Sequence, residues 1–141
     1  DRAFRGTVGA ADRGGLHRDE GPCDGGAMLG LFLRLLALLV VATVYWQSVC
    51  LLTGRGEPWD APDYWTLAYP ASVLLAAMAG WGMRRQGWMA GFVVTLAQLP
   101  VMLIHAGSGG QLWVVGPIYL CVLAIPVAAV SALAGRLAIR R

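Results

Sequence analysis

Lysine is absent from this sequence, and charged residues of both signs are scarce. Of its 141 residues, 13% are charged, about half of the roughly 25% found in soluble domains. Only three acidic residues follow Asp24, namely Glu57, Asp60 and Asp63. The arginines lie between apolar runs and not along one helical face, so they indicate membrane topology rather than binding to nucleic acid. With a mean hydropathy of +0.61, the composition predicts a protein embedded in the lipid bilayer.

Groups of residues typical of redox and haem sites are missing as well. The cysteines Cys23, Cys50 and Cys121 form no C-x-x-C, and their odd number disfavours a closed disulfide framework. The sequence has two histidines, and His17 lies in the N-terminal segment, outside the apolar runs. His105 is then the only histidine available as a haem ligand, and one chain could not supply two axial histidines. No Asp, Glu or Arg stands in the middle of an apolar run, which disfavours proton-coupled transport. We therefore predict no catalytic residues, no cofactor, no metal site and no enzymatic activity.

Residues 1–27 differ from the rest of the chain. They contain seven glycines, four arginines and five acids, with no apolar periodicity. Such a composition buries too little apolar surface to offset the entropy of the chain, so we predict a disordered leader. The first methionine is Met28, at the start of the first apolar run. Two interpretations follow: a leader that is translated and disordered, or a leader that is not translated, with Met28 as the start of translation.

The remaining residues, 28–141, contain apolar runs that predict four transmembrane helices, at about residues 29–52, 64–83, 87–106 and 112–137. Each of the first two has twenty uncharged residues between its flanking charges, enough for about 30 Å of helix. The last two share one long uncharged segment, in which residues 107–110 supply the turn. The predicted fold is an all-α membrane bundle with up-down-up-down topology. A signal peptide that starts at Met28 is the alternative for the first run, although bulky residues occupy the expected cleavage site.

Small residues and prolines predict how these helices pack. In the second and fourth helices a small residue recurs at every fourth position, as on the close-packing faces of membrane helices. The two stripes are Ser72, Ala76 and Gly80, and Ala124, Ala128 and Ala132. Gly87 and Gly91 form a G-x-x-x-G at the entry of the third helix, where we interpret it as a weak motif. Pro70 lies in the first two turns of its helix, where it costs little. Pro100 predicts either a kink in the third helix or a backbone carbonyl left free.

The distribution of arginines predicts the orientation. One side of the four-helix arrangement carries Arg34, Arg84, Arg85, Arg136, Arg140 and Arg141, and the other carries Arg55 alone. Positive residues are enriched in cytoplasmic loops, so both termini are predicted to be cytoplasmic in a bacterial inner membrane. Residues 54–63 and 107–110 then face outward. Trp46, Trp59, Tyr64 and Trp65 are among the aromatic residues predicted to lie at the outer interface.

The candidate site consists of polar residues near the predicted outer surface: Glu57, Asp60, Asp63, Gln98 and His105. The three carboxylates could hold a divalent cation, although Ca²⁺ prefers about six to eight oxygen ligands. The alternative is a rigid interfacial loop in which Asp63 caps the second helix. Gln98 and His105 are seven residues apart and share a helix face. They could line an outer cavity, or Gln98 could form a hydrogen bond between helices while His105 lies at the interface.

One part of the sequence resembles a known group of proteins. Glu57-Pro-Trp-Asp-Ala-Pro with Tyr64-Trp65, followed by Tyr69-Pro70 and by Gln98 with Pro100, resembles a group of small, uncharacterised four-helix bacterial inner-membrane proteins. The similarity covers roughly residues 28–141, and the Glu-Pro-Trp-Asp-Ala-Pro string is its most specific part. The resemblance implies an architecture and no catalytic residues.

Two functions are compatible with these features. The first is a non-enzymatic accessory, assembly or scaffold protein that packs through its small-residue stripes. The second is a subunit of a small-molecule transporter or channel that forms its pathway as an oligomer. The expected partners are the lipid bilayer and either a second copy of the chain or another membrane protein, and nucleic acid is not expected.

Overall fold

A computed structural model describes residues 25–105 and 115–141, and in these two ranges all regular structure is helical. The α-helices are α1 (Gly25–Thr53), α2 (Tyr69–Met83), α3 (Gly87–Leu96), α4 (Gln98–His105) and α5 (Val115–Ile139). Shorter 3₁₀ turns occur at Pro58–Asp60 and Arg84–Gln86, and a π-helical turn occurs at Tyr64–Ala68. The all-α class predicted from the sequence is confirmed for the described residues.

Three helical stretches are long and apolar enough to cross a membrane: Gly25–Thr53, Tyr64–His105 and Val115–Ile139. The second of them reverses its direction. The hydroxyl of Tyr64 lies 3.4 Å from the amide of Gln98, although a straight helix would separate residues so far apart in sequence by about 50 Å. The chain turns at Arg84–Gln86, where Arg84 has a φ of 51°, and α3 packs against α2.

The charged residues of the described ranges lie at two opposite ends. The loop of residues 54–63 contacts the start of α5 through Trp59, whose ring centroid is 6.3 Å from that of Tyr119. At the other end, the carbonyl of Arg84 lies close to Gly135, near the end of α5. We call these the loop end and the arginine end. The loop end carries the three carboxylates and Arg55, and the arginine end carries the other six arginines of the described residues.

The helix that follows the loop starts with a π-helical turn, and Pro70 explains it. Proline has no N–H to donate to the carbonyl of Thr66, and its ring would clash with that carbonyl. The wider turn over Tyr64–Ala68 relieves this conflict. Asp63 does occupy the N-cap position, as predicted, but its side chain forms no capping hydrogen bond. Its backbone carbonyl accepts the bonds from Leu67 and Ala68 instead, so the predicted side-chain cap is wrong.

The helical stretch is interrupted one turn before Pro100. α3 ends at Leu96, and α4 begins at Gln98 after a turn at Ala97. Leu96 lies four positions before Pro100. Proline has no N–H, so the carbonyl of Leu96 cannot receive the usual helical hydrogen bond. Proline chemistry therefore places a break in the backbone next to Gln98. Pro126, in contrast, lies inside an uninterrupted α5.

α2, α3 and α5 approach one another so closely near the arginine end that backbone meets backbone. A Cβ added to Gly87 would lie 2.7 Å from the carbonyl oxygen of Ser131, and one added to Gly91 would lie 2.6 Å from the carbonyl carbon of Val127. The amide of Gly91 donates a 3.1 Å hydrogen bond to Oγ of Ser131. Gly80 on α2 also lies against Ser131. Glycine and serine thus allow three helices to meet at one level, the usual close-packing device of membrane helices.

These contacts refine the predicted small-residue stripes. Ser72, Ala76 and Gly80 are all buried, which confirms the stripe on α2. On α5 the buried small residues are Gly116, Ala124, Ala128, Ser131 and Gly135. Ala132 is only half-buried, so it does not continue the stripe as predicted. The G-x-x-x-G of α3, interpreted as weak, contributes both of its glycines to the contact with α5.

α1 is attached less extensively than the other helices. Its fully buried residues are Ala42, Trp46 and Cys50, which follow one another at intervals of four and lie on one face. This face packs on α3 and α4. The helix begins at Gly25, earlier than the predicted start near residue 29. The predictions of a disordered leader and of a turn at residues 107–110 lie, apart from Gly25–Ala27, outside the described residues.

Candidate functional site

Three completely buried side chains, two aromatic and one amide, meet between α1, α4 and the π-helical turn. Trp46, Tyr64 and Gln98 are each 0% exposed, and we call them the buried triad. The rings of Trp46 and Tyr64 are stacked, with centroids 5.7 Å apart and planes 29° apart. Stacked aromatic pairs of this kind add about 0.5–1.5 kcal/mol beyond the burial of their surface. The triad therefore fixes α1 on the rest of the molecule.

Trp46 also stabilises the backbone break near Pro100. Its indole Nε1–H donates a 2.9 Å hydrogen bond to the carbonyl of Val94, in the last turn of α3. Carbonyls at the end of a helix lack helical partners, and in an apolar environment each unsatisfied one is costly. A side chain from α1 thus binds the backbone of α3 at the place where the helix is interrupted.

Gln98 and the hydroxyl of Tyr64 form the polar contact of the triad. The distance between the tyrosine oxygen and the amide is 3.4 Å, with either group able to donate. The bond is long, so it orients the two side chains more than it stabilises them. Gln98 is therefore in the position of a hydrogen-bonding residue between helices, one of the two roles that its sequence position left open.

Two further tyrosines near the triad bind backbone carbonyls. The hydroxyl of Tyr45 donates a 2.6 Å hydrogen bond to the carbonyl of Ala68. The hydroxyl of Tyr69 donates a 3.1 Å hydrogen bond to the carbonyl of Leu123. Leu123 lies three residues before Pro126, in a turn of α5 where the proline weakens the helical hydrogen bonds. Each hydroxyl joins two helical segments through a backbone carbonyl, in the widened π-helical turn for Tyr45 and in α5 for Tyr69. The loop half of the protein is thus held together by neutral hydrogen bonds.

His105 lies apart from Gln98. Its Nδ1–H donates a 2.9 Å hydrogen bond to the carbonyl of Val101 in its own helix, because a carbonyl can only accept. Its side chain is exposed, and its Cβ lies near Gly56 in the loop. The ring therefore presents Nε2 at the surface of the loop end. Gln98 and His105 do share a helix, but one is buried and the other is exposed.

The carboxylates of Glu57, Asp60 and Asp63 do not converge. Among the described residues, no group of three His, Cys, Asp or Glu side chains is placed to hold a metal ion. The loop is ordered by its own backbone, with hydrogen bonds from Asp60 to Glu57 and from Ala61 to Pro58, each of 3.2 Å. Pro58 is buried under it. This geometry is that of a stiff loop.

Asp63 borders an apolar cleft of about 450 Å³ between α1 and the start of the second helical stretch. The cleft is lined by Tyr45, Ser48, Val49, Leu52, Thr53, Ala61, Asp63, Leu67, Ala68 and Ala71. The hydroxyls of Ser48 and Thr53 donate to carbonyls of their own helix. Asp63 is therefore the single charged group of an otherwise apolar lining.

Sequence reasoning missed the roles of Trp46 and Tyr64. Both were assigned to an outer aromatic belt, and both point inward. The signal was present in the spacing of Ala42, Trp46 and Cys50, where small residues flank a tryptophan on one helix face. Oε1 of Gln47, the residue after Trp46, is buried with no hydrogen-bond partner in the described part of the chain.

Comparison of the chain with protein families, with curated proteins and with solved structures gives no match. The resemblance carried by the Glu-Pro-Trp-Asp-Ala-Pro string stays a prediction.

The Tyr64–Gln98 contact is open to a double-mutant cycle. Tyr64→Phe, Gln98→Leu and the double variant should give a coupling free energy of about 0.6 kcal/mol, the average for hydrogen bonds between membrane helices. Unfolding in mixed micelles, followed by tryptophan fluorescence, measures it. As a control, Tyr69→Phe with Gln98→Leu should be additive within about 0.5 kcal/mol, because Tyr69 binds Leu123 instead. A Tyr64–Gln98 coupling above about 2 kcal/mol would contradict the view that this bond mainly orients the side chains.

Proposed function

We propose that this protein crosses a bacterial inner membrane four times, up-down-up-down, with both termini in the cytoplasm. The support is the separation of charge between the arginine end and the loop end, where Arg55 is the only arginine among the described residues. Positive residues in short loops set the orientation of membrane proteins. The reversal of the chain at Arg84–Gln86 makes two antiparallel segments out of the second helical stretch.

We further infer that the protein is a non-enzymatic accessory or scaffold that binds another membrane protein through α1. The observation that carries this proposal is the unequal use of helix surfaces. The small-residue faces of α2, α3 and α5 pack against one another within the chain. α1 is a 29-residue apolar helix that contributes one narrow face, and Val40 and Val44 on another face are 56% and 60% exposed.

The packing of the loop half supports a scaffold more than a pathway within one chain. Trp46, Tyr64 and Gln98 fill the space between the helices there, and their polar atoms are bound to one another or to backbone. The alternative, a subunit of a transporter or channel, would place its pathway between copies of the chain.

The orientation is tested by labelling with a maleimide that does not cross membranes. The native cysteines are replaced by serine, and single cysteines are introduced as Glu57→Cys at the loop end and Arg85→Cys at the arginine end. We expect the Glu57→Cys variant to react in intact cells and the Arg85→Cys variant to react only after permeabilisation. The opposite pattern would reverse the proposed orientation, and labelling of both in intact cells would contradict the four-span topology.

The partner is tested by a photo-crosslinking amino acid at Val40 or Val44. The same amino acid at Met78 on α2, which is 74% exposed, is the matched control for a lipid-facing position. We expect an adduct with one discrete membrane protein from both α1 positions and none from Met78. Adducts with the mass of a dimer would favour the oligomeric transporter or channel, and crosslinks to lipid alone would contradict both functions.

A further inference from the structure

A second cavity lies at the arginine end, far from the triad. It is a groove of about 590 Å³ between the first turns of α1 and the turn at Arg84–Gln86. Its lining consists of Gly26, Ala27, Met28, Gly30, Leu31, Arg34 and Gln86. Neither the candidate site nor the proposed function involves it.

The sequence of α1 explains why this groove is open and where its charge lies. Gly26, Gly30 and Arg34 follow one another at intervals of four and share one helix face. A Cβ added to Gly26 or Gly30 would meet nothing within 4 Å, so the two glycines leave space along the helix. Arg34 follows the two glycines on the same face of the helix and has the long, charged side chain of the lining. Leu31 adds an apolar side chain beside it.

The charge of Arg34 is not compensated by any acid in the described part of the chain. The acids described are Glu57, Asp60 and Asp63, and all three lie at the loop end. Twenty uncharged helical residues separate the ends by about 30 Å, several times the roughly 8–10 Å over which salt screens a charge. Arg84 and Arg85 directly precede Gln86 on the facing turn, so positive charge lies on that side of the groove as well as at Arg34.

The Arg34 end of the groove lies at the depth of a lipid headgroup. Arg34 stands at the start of the twenty-residue uncharged run of α1, and Arg84 stands at the end of the run that begins after Asp63. Each run has the length of the hydrocarbon core of a bilayer. Both arginines therefore lie at the boundary where phosphates are found, and an acyl chain attached there would extend along the apolar side of α1.

We propose that this groove binds one anionic phospholipid, whose phosphate diester lies between Arg34 and Gln86. The guanidinium of Arg34 pairs with the phosphate oxygens, for which its planar donors are well matched. The Gln86 amide donates to the same group, and Arg84 and Arg85 add long-range attraction. The two glycines give the headgroup room against the helix backbone.

Lipid retention in native mass spectrometry tests the site in the full chain. The protein is reconstituted in phosphatidylcholine nanodiscs, and phosphatidylglycerol is titrated in. We expect one retained phosphatidylglycerol, and we expect Arg34→Gln to weaken its apparent Kd about fivefold, the effect of one basic residue near an anionic lipid surface. Arg140→Gln, at the same end but outside the groove, and Arg55→Gln, at the loop end, are the matched controls and should change it less than about twofold.

Several outcomes would overturn the proposal. Equal losses for Arg34→Gln and Arg140→Gln would show a diffuse positive field in place of a site, and no loss for Arg34→Gln would remove the site altogether. Displacement of the lipid by inorganic phosphate would show that the acyl chains contribute nothing. A combined Asp19→Asn, Glu20→Gln and Asp24→Asn variant is expected to behave like the unaltered chain, because the groove is taken by lipid. A severalfold gain in retention for that variant would show that the leader's own acids occupy the groove.

Discussion

Replacing Gly91 with alanine is expected to force α3 away from α5 and to lower the free energy of unfolding by about 2–3 kcal/mol. The added methyl group would lie 2.6 Å from the carbonyl carbon of Val127 and against the backbone of Ala128. Backbone atoms cannot rotate aside as a side chain can. The helices must therefore separate, which also lengthens the 3.1 Å bond from the Gly91 amide to Ser131. Unfolding in mixed micelles, followed by tryptophan fluorescence, measures the loss.

Gly82→Ala is the matched control for this prediction. It adds the same methyl group to a neighbouring helix, but a Cβ there meets nothing within 4 Å. Because alanine is a better helix former than glycine, we expect Gly82→Ala to stabilise the protein by about 0.5–1 kcal/mol. The two substitutions thus have opposite predicted signs. Similar effects from both would show that α3 and α5 are not in backbone contact.

Trp46→Ala should have the largest effect of any substitution in α1, a loss of about 3–5 kcal/mol. It removes a fully buried indole that stacks on Tyr64 and binds the carbonyl of Val94. Trp46→Phe keeps most of the buried ring and removes the N–H, so it should cost about 1–3 kcal/mol for the carbonyl left without a partner. The same unfolding measurement distinguishes the three proteins.

Trp65 is the control for Trp46, because it belongs to the same group of aromatic residues but is 54% exposed. Trp65→Ala should cost less than about 1 kcal/mol, as for other side chains outside the core. Equal losses at Trp46 and Trp65 would mean that both tryptophans act only at the membrane interface. In that case α1 would not be fixed by the buried triad.

The length and composition of the apolar runs were enough to predict the helices. The runs beginning near residues 29 and 64 appear as helical stretches because a span needs uninterrupted apolar residues, and that requirement is local. Prolines also act locally, so the break before Pro100 followed from its missing N–H. The π-helical turn at Tyr64–Ala68 could not be predicted in the same way, because a helix can accommodate a proline such as Pro70 in several ways.

The candidate site was predicted less well than the helices, because it depends on how the helices are rotated. An aromatic residue near a membrane surface can point into lipid or into the protein, and composition does not distinguish the two. Trp46 and Tyr64 point inward since Val94 and Gln98 supply partners on another helix. The same limit applies to Ser131 and Gly135, whose place in the packing depends on Gly91 and Arg84 opposite them.

The turn between α2 and α3 places two requirements on one residue. Arg84 has φ 51° and ψ −109°, a conformation that glycine adopts freely and that costs a residue with a side chain about 1–3 kcal/mol. Conformational energy therefore favours glycine at this position, whereas the asymmetry of charge between the two ends favours arginine. Under the proposed orientation, a thermostabilised version of this protein with glycine in the turn would become less selective about which way it inserts. Part of the energy of the fold would then be given up to define a direction across the membrane.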